Sequence, residues 1–473
     1  MHRLFKNTSL YTLGNVLPQA ANFLLLPVYT KYLSPDEYGI VNSMQVLQSV
    51  LVILFTLSLE RSIYRLYWDY NSEEEKKNFL GTITISIICI SVFSLILVFI
   101  FRNQIEHIYK NISFYPFYLY IILTTFFTVF SLVPMIYLMV KQQANKYIAL
   151  SIFRFILNTA FILWFLVVKG EGAAGMLKGN LIANLLITPL FLFIIYRSIN
   201  FKFKYEILKS SIYFTLPMIP SFVVSWVLNL SDRIFIERYF NLSDVGIYSL
   251  ANRIAGITGL LSSGFFMAYS PLFFQLANTH EQDSGKRIYN YNTISIIVVL
   301  LIAFSVSFFS KELLVLVLDK KYYGAYNLVP IMAFSAVLVY VNGLIGLYYQ
   351  QSKKTKQDMY ITIFLGTVNV SLNFLLVPIY SVYGAATSIL FTFLLGGIVS
   401  YYYAKKKCYF IPFNWSIIIP LTATLITIFL LFRYLINIDI YLTFGIKLII
   451  MVICLLVFIK KYFAQVKFIF SKL

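Results

Sequence analysis

Charge is scarce in this 473-residue chain. Asp, Glu, Lys and Arg make up 12% of it, against roughly 25% in soluble domains. Acids are scarcer than bases, 19 against 38, for a formal net charge of +19. Cys89, Cys408 and Cys454 are scattered and lack the spacing of a disulfide framework or a thiolate metal site. The three histidines, His2, His107 and His280, fall in tails or loops and form no cluster. No phosphate-binding glycine loop, nucleophile elbow or HExxH motif occurs. These absences argue against a soluble domain, a metal centre and an enzyme, and no cofactor is expected. A basic soluble protein would suggest nucleic acid. Here the basic residues lie mostly in short loops between apolar runs, so no nucleic-acid partner is expected.

What the chain has in excess is apolar length. Hydrophobic residues are 60% of it. A hydrocarbon core about 30 Å thick needs roughly 20 apolar residues per helix. Such runs recur from Tyr11–Thr30 to Leu442–Ile459. They predict fourteen helices, near 8–31, 38–60, 79–101, 115–139, 147–168, 174–196, 212–237, 244–270, 293–317, 323–350, 358–380, 382–404, 414–436 and 441–463. Runs of this length without alternation do not suit a membrane barrel. The expected class is an all-α polytopic membrane protein. No signal-peptide pattern precedes a polar body, so the first run is expected to stay as helix one.

Orientation follows from the basic residues. With the N-terminus inside, 24 of the 38 fall in inside segments, 11 outside, and Arg154, Arg253 and Lys447 lie within spans. Both termini are therefore predicted to be cytoplasmic.

The two halves repeat one another. Ser9-Leu10-Tyr11 with Pro18 recurs as Ser211-Ile212-Tyr213 with Pro220, and Lys31-Tyr32 and Gly39-Ile40 recur as Arg238-Tyr239 and Gly246-Ile247. Gln142-Gln143 pairs with Gln350-Gln351. Leu157-Asn158 before Gly172-Ala173-Ala174 pairs with Leu372-Asn373 before Gly384-Ala385-Ala386. An offset near 210 residues spans six helices, so the copies are parallel. The expected lobes are 1–211 and 212–404, with two further helices and a tail at 405–473. Parallel repeats place a binding site at their interface and let one half rock against the other, which is transporter architecture.

A charge inside the bilayer costs at least ~2.5–3.5 kcal/mol, so Arg154 and Arg253 are the first candidates for an anion site. Around Arg253, the residues Ser249, Asn252, Gly256, Gly259 and Ser263 share one helical face. That face suits either a cavity wall or a tight helix seam. Arg154 either lines a cavity or snorkels. In helix one, Asn7, Tyr11, Asn15, Pro18 and Asn22 share a face. In helix seven, Thr215, Ser221, Ser225, Asn229 and Asp232 roughly do. Pro18, Pro217 and Pro220 make these helices either gates or static kinks. Asp232, Arg233 and Glu237 crowd the end of helix seven. Arg233 and Glu237 are spaced as an ion pair, and Asp232 is an alternative proton or sodium acceptor. Glu60-Arg61-Arg65 caps helix two, where Arg61 serves as an anchor or as the rim of a phosphate funnel. Arginine suits a pyrophosphate because its planar fork donates two parallel hydrogen bonds and stays charged.

Asn15 to Pro27 followed by Leu33-Ser34-Pro35-Asp36-Glu37-Tyr38-Gly39 is similar to the start of bacterial polysaccharide exporters. So are Asp232-Arg233, Val245-Gly246-Ile247-Tyr248, and Val377-Pro378 leading to Tyr383-Gly384-Ala385-Ala386. Together they resemble the O-antigen flippase (polysaccharide transporter) branch of the multidrug/oligosaccharidyl-lipid/polysaccharide exporter superfamily. The resemblance implies a flippase that moves an undecaprenyl-pyrophosphate-linked oligosaccharide (an O-antigen, capsule or related repeat unit) from the cytoplasmic to the outer leaflet of a bacterial inner membrane, by alternating access. It also implies a polymerase and a chain-length regulator as pathway partners. The rival readings are a drug/cation antiporter of the same superfamily, which should carry acids in its spans, and a polysaccharide polymerase, which should carry a large outer loop. The longest polar connection here is 61–78.

Overall fold

In the computed structural model the described residues are 14, 17, 18, 20–278, 283–435, 443–454, 456 and 460. The chain divides into two compact units, Met1–Gly246 and Ile247–Leu473. All regular structure among the described residues is helical.

The first unit contains α1 (Leu26–Tyr32), α2 (Pro35–Thr56), α3 (Glu73–Ile100), α4 (Leu119–Val140), α5 (Ala144–Leu163) and α6 (Gly172–Tyr196). It continues through α7 (Tyr205–Thr215), α8 (Ile219–Leu230) and α9 (Asp232–Tyr239), and includes the start of α10 (Leu242–Asn278). The second unit holds the rest of α10, then α11 (Ser284–Phe308), α12 (Ser310–Val317), α13 (Val329–Gln351), α14 (Thr355–Lys407), α15 (Trp415–Leu435) and the short α16 (Thr443–Cys454). Eleven helical segments among the described residues are long and apolar enough to cross a membrane. The 22 residues of α2 reach about 33 Å at 1.5 Å per residue, enough for a hydrocarbon core. The protein is a multi-pass membrane protein.

The 53-residue α14 is a hairpin of two spans. Ser381 leaves helical geometry (φ 50°, ψ −131°), Asn369 meets Thr392, and Leu365 lies against Gly396. The turn falls between the predicted helices 358–380 and 382–404. The first and last predicted spans, 8–31 and 441–463, lie partly outside the described residues, as do Asn7, Tyr11, Asn15 and both chain ends.

Local sequence explains the start of α2. The Ser34 hydroxyl accepts from the Glu37 amide (3.2 Å), and the Glu37 carboxylate accepts from the Ser34 amide (2.8 Å). Pro35 occupies the first turn, where its missing N–H costs nothing. Ser72 and Glu75 repeat this capping box on α3, and each such cap contributes about 1 kcal/mol. The other oxygen of Glu37 accepts from the Ala173 amide, tying the start of α2 to the start of α6.

Two glycines of the repeat meet each other. A methyl group on Gly39 would lie 2.0 Å from the Leu242 carbonyl oxygen, and one on Gly246 would lie 2.0 Å from the Pro35 carbonyl oxygen. Pro35 and Leu242, like Gly39 and Gly246, are separated by the same 207 residues. The contact is therefore reciprocal, as at a local two-fold axis between the first turns of α2 and α10. Gly39→Ala should force these turns apart, lowering the melting temperature and cutting the yield of monodisperse protein several-fold. Gly256→Ala is the control, because a methyl there meets nothing within 4 Å. Equal stability of the two variants would refute a tight contact.

The predicted helix seven is broken into segments. A three-residue 3-10 turn, Leu216–Met218, separates α7 from α8, as the missing N–H groups of Pro217 and Pro220 favour. Helices α7, α8 and α9 pack on α2 and α3, so the first compact unit ends one span beyond the duplication boundary drawn at 211/212.

Candidate functional site

Within the first unit, α4 and α5 both pack on α6. Near the middle of all three helices lies a polar junction built around Arg154. Its Nη1 donates to Ser131 Oγ (3.1 Å) and its Nη2 to Asn184 Oδ1 (3.0 Å). Asn180 Oδ1 accepts from Asn158 Nδ2 (2.6 Å) and from Asn184 Nδ2 (2.8 Å). Thr128 Oγ1 donates to Asn184 Oδ1 at 3.3 Å. Every member other than Arg154 is neutral. No carboxylate pairs with Arg154 among the described residues. A guanidinium carries five N–H donors, so two bonds to neutral acceptors leave capacity for an anion.

The second unit supplies an internal comparison. The Leu157-Asn158/Leu372-Asn373 match sets Asn369 against Arg154, and the Gly172/Gly384 match sets Thr392 against Asn180. Asn369 Nδ2 donates to Thr392 Oγ1 (3.4 Å), and Asn373 Nδ2 donates to Asn369 Oδ1 (3.1 Å). All three are fully buried. The equivalent helix pair of the second unit is thus joined by neutral side chains alone, though its bonding differs in detail: Arg154 reaches Ser131 and Asn184, whereas Asn369 reaches Thr392. Packing alone does not require the charge.

Arg253 lies on α10 in the second unit and is partly exposed. Ala251, Ile254, Ala255 and Thr258 of that helix are buried. Methyl groups on Gly256, Gly259 or Gly264 would meet nothing within 4 Å. These glycines do not form the close backbone contact that Gly39 and Gly246 make. Asn252, beside Arg253, is also partly exposed.

Arg61 follows α2 and lies over the Phe222 ring of α8, 4.5 Å from its centroid. Its Nε is 3.9 Å from a Glu60 oxygen. Glu60 is buried, and that burial pushes its carboxyl above the ordinary carboxylate range. Arg65 pairs with Asp69.

Asp232, Arg233 and Glu237 on α9 are all buried. Both Glu237 oxygens accept backbone hydrogen bonds, from Lys110 N (3.1 Å) and Asn111 N (2.7 Å). Arg233 Nη1 donates to the Asn229 carbonyl at 3.1 Å. Asn229 is exposed, and its amide donates to the Ser225 carbonyl. Glu237 therefore clamps a connection to a helix.

The partners of Arg154 were the residues that sequence reasoning missed. Asn180 and Asn184, four apart on an apolar helix, were a readable polar stripe. Their meeting with Arg154 depends on how the helices rotate. Lys447 shows the same limit: its ammonium donates to both Glu312 oxygens (2.7 and 3.0 Å) and to the Phe308 carbonyl.

Comparison with known proteins places the chain by family and fold. The chain is 24% identical over 208 residues to the probable low-salt glycan biosynthesis flippase Agl15 of Haloferax volcanii, covering 44% of this chain and 43% of that protein. It is 21% identical over 422 residues to the capsular polysaccharide biosynthesis protein CapF of Staphylococcus aureus, covering 86% of this chain and all of CapF. The lipid II flippase MurJ in an inward closed conformation shares the fold, with a TM-score of 0.74 at 13% identity over 97% of this chain and 100% of MurJ. A second family profile, MatE, matches residues 217–375. The profile described as polysaccharide biosynthesis protein matches residues 4–277, and the chain belongs to that family, within the multidrug/oligosaccharidyl-lipid/polysaccharide exporter superfamily.

Proposed function

We propose that this protein carries an undecaprenyl-pyrophosphate-linked oligosaccharide from the cytoplasmic to the outer leaflet of a bacterial inner membrane. Transport proceeds by alternating access, with both termini cytoplasmic. The observation that carries this reading is the guanidinium of Arg154 at mid-span, held by Ser131 and Asn184 and balanced by no carboxylate among the described residues. A cation kept in that setting gains most from a dianionic ligand, since charge-assisted bonds are stronger where water is scarce. Arg154 holds the pyrophosphate while the lipid tail stays in the bilayer. Arg253 and Asn252, partly exposed on α10, are further candidate substrate contacts within their own unit. Arg61 and Asn229 contact the head group at other stages of the cycle. Asp232, Arg233 and Glu237 serve the structure at the end of helix seven, with Glu237 holding the 110–111 connection and Asp232 as the coupling candidate. A polymerase and a chain-length regulator act on the delivered unit.

The MatE match over 217–375 favours one second reading, a drug/cation antiporter. Reconstituted proteoliposomes separate the two. A fluorescent polyprenyl-pyrophosphate disaccharide should become accessible at the opposite leaflet at least tenfold faster than in empty liposomes, and a lipophilic cationic dye should not be transported. Dye transport without lipid movement would replace the proposal with the antiporter. Reporter fusions after Lys110 and after Asp319 should both read as external; a cytoplasmic readout at both would overturn the orientation.

A further inference from the structure

Beyond the spans, the first unit holds a recess of about 700 Å3, lined among others by Glu106, His107, Lys110, Asn111, Ile112 and Arg238. We propose that it is a binding site for an acidic saccharide at the outer surface of the membrane. This rests on the reading above for the side it faces and for the glycan it would meet there.

The wall chemistry points to that class. Lys110, Arg238 and His107 offer cationic or neutral N–H donors. One acid, Glu106, faces them, and its Oε1 already accepts from the Phe114 amide at 2.8 Å. Asn111 can donate and accept at sugar hydroxyls, and Ile108 and Ile112 supply apolar wall for a pyranose face. A volume of this size lies in the range of small-ligand sites, about 300–1,000 Å3.

The recess is built rigidly from beneath. The buried Glu237 carboxylate accepts from the amides of Lys110 and Asn111, and Arg238 follows it on α9. One clamp therefore fixes the backbone that carries Lys110 relative to the helix that carries Arg238. The far side is tied down too: the Tyr118 hydroxyl accepts from Tyr109 N and donates to the Glu106 carbonyl (3.3 Å each). Burial also pushes the Tyr109 phenol upward, keeping it neutral under the loop. Pre-organised donors lose less entropy when a ligand binds.

The test uses the full chain in lipid nanodiscs and a hyaluronan tetrasaccharide as probe, with chitotetraose as its neutral counterpart and inorganic phosphate as a bare anion. Calorimetry should show hyaluronan binding at least fivefold more tightly than chitotetraose or phosphate. A Lys110→Gln/Arg238→Gln double variant should lose at least fivefold of that affinity. Glu237→Gln should weaken binding with both cations present, because an amide cannot accept at both positions. Arg154→Asn should leave binding unchanged, which separates failure of this site from failure of the transport reading. Phosphate binding as tightly as the tetrasaccharide would make the recess a simple anion site and overturn the saccharide assignment. Unchanged hyaluronan affinity in the double variant would overturn the site itself.

Discussion

Arg154→Asn should abolish lipid-linked saccharide transport, by at least tenfold in the proteoliposome assay, and leave the protein folded and inserted. The second unit already shows that an asparagine can occupy this position. Asn369 donates to Thr392 across the corresponding helix pair, accepts from Asn373 of its own helix, and is fully buried. The variant therefore keeps a neutral amide junction with Asn158 and Asn180. What it loses is charge-assisted bonding to the ligand, about 1.5–3 kcal/mol for each hydrogen bond to a charged group. Two such bonds correspond to roughly a hundredfold or more in affinity. Arg154→Lys should rescue only partly, since an ammonium keeps the charge but lacks the planar fork. Asn369→Arg should be the damaging exchange, because it places a cation against Thr392 and Asn373, two buried neutral partners. Transport at the wild-type rate by Arg154→Asn would remove the guanidinium from the mechanism.

The largest stability effect should come from the second unit. Lys447 and Glu312 are both buried, their charged atoms 2.7 Å apart, and the ammonium also lies over the Phe308 ring at 5.0 Å. Removing one partner leaves an uncompensated buried charge, at a cost of about 3–5 kcal/mol. Glu312→Ala and Lys447→Ala should therefore each lower the melting temperature sharply. The double variant Glu312→Gln/Lys447→Met should recover most of the loss, because neither charge then remains to be desolvated. Transport per folded molecule should not change in the double variant, since the partners of this pair among the described residues, Phe308 included, lie in the second unit and away from Arg154 in sequence. Single variants as stable as the double would show that the pair is not energetically coupled.

Features set by neighbouring residues were legible in the sequence. The Ser34-Pro35-Asp36-Glu37 run is a capping box with proline in its first turn, and the break at Ser381 falls between the two spans expected there. Gly39 and Gly246 were legible as a repeated pair. Their mutual contact was not, because it depends on how two helices cross. Arg154 stood out as a mid-span cation, and its acceptors Ser131 and Asn184 lie on other helices. Glu237 was read as the partner of Arg233 four residues away, yet its oxygens engage the amides of Lys110 and Asn111, more than 120 residues distant. Helical spacing identifies which residues share a face, and the packing of faces is a tertiary outcome.

Native mass spectrometry of the purified protein tests the central claim most directly. The wild type should carry a co-purified polyprenyl-pyrophosphate glycan, and Arg154→Asn, purified identically, should have lost it. Equal retention of that lipid by both proteins, or its absence from the wild type alongside other bound lipids, would contradict the account.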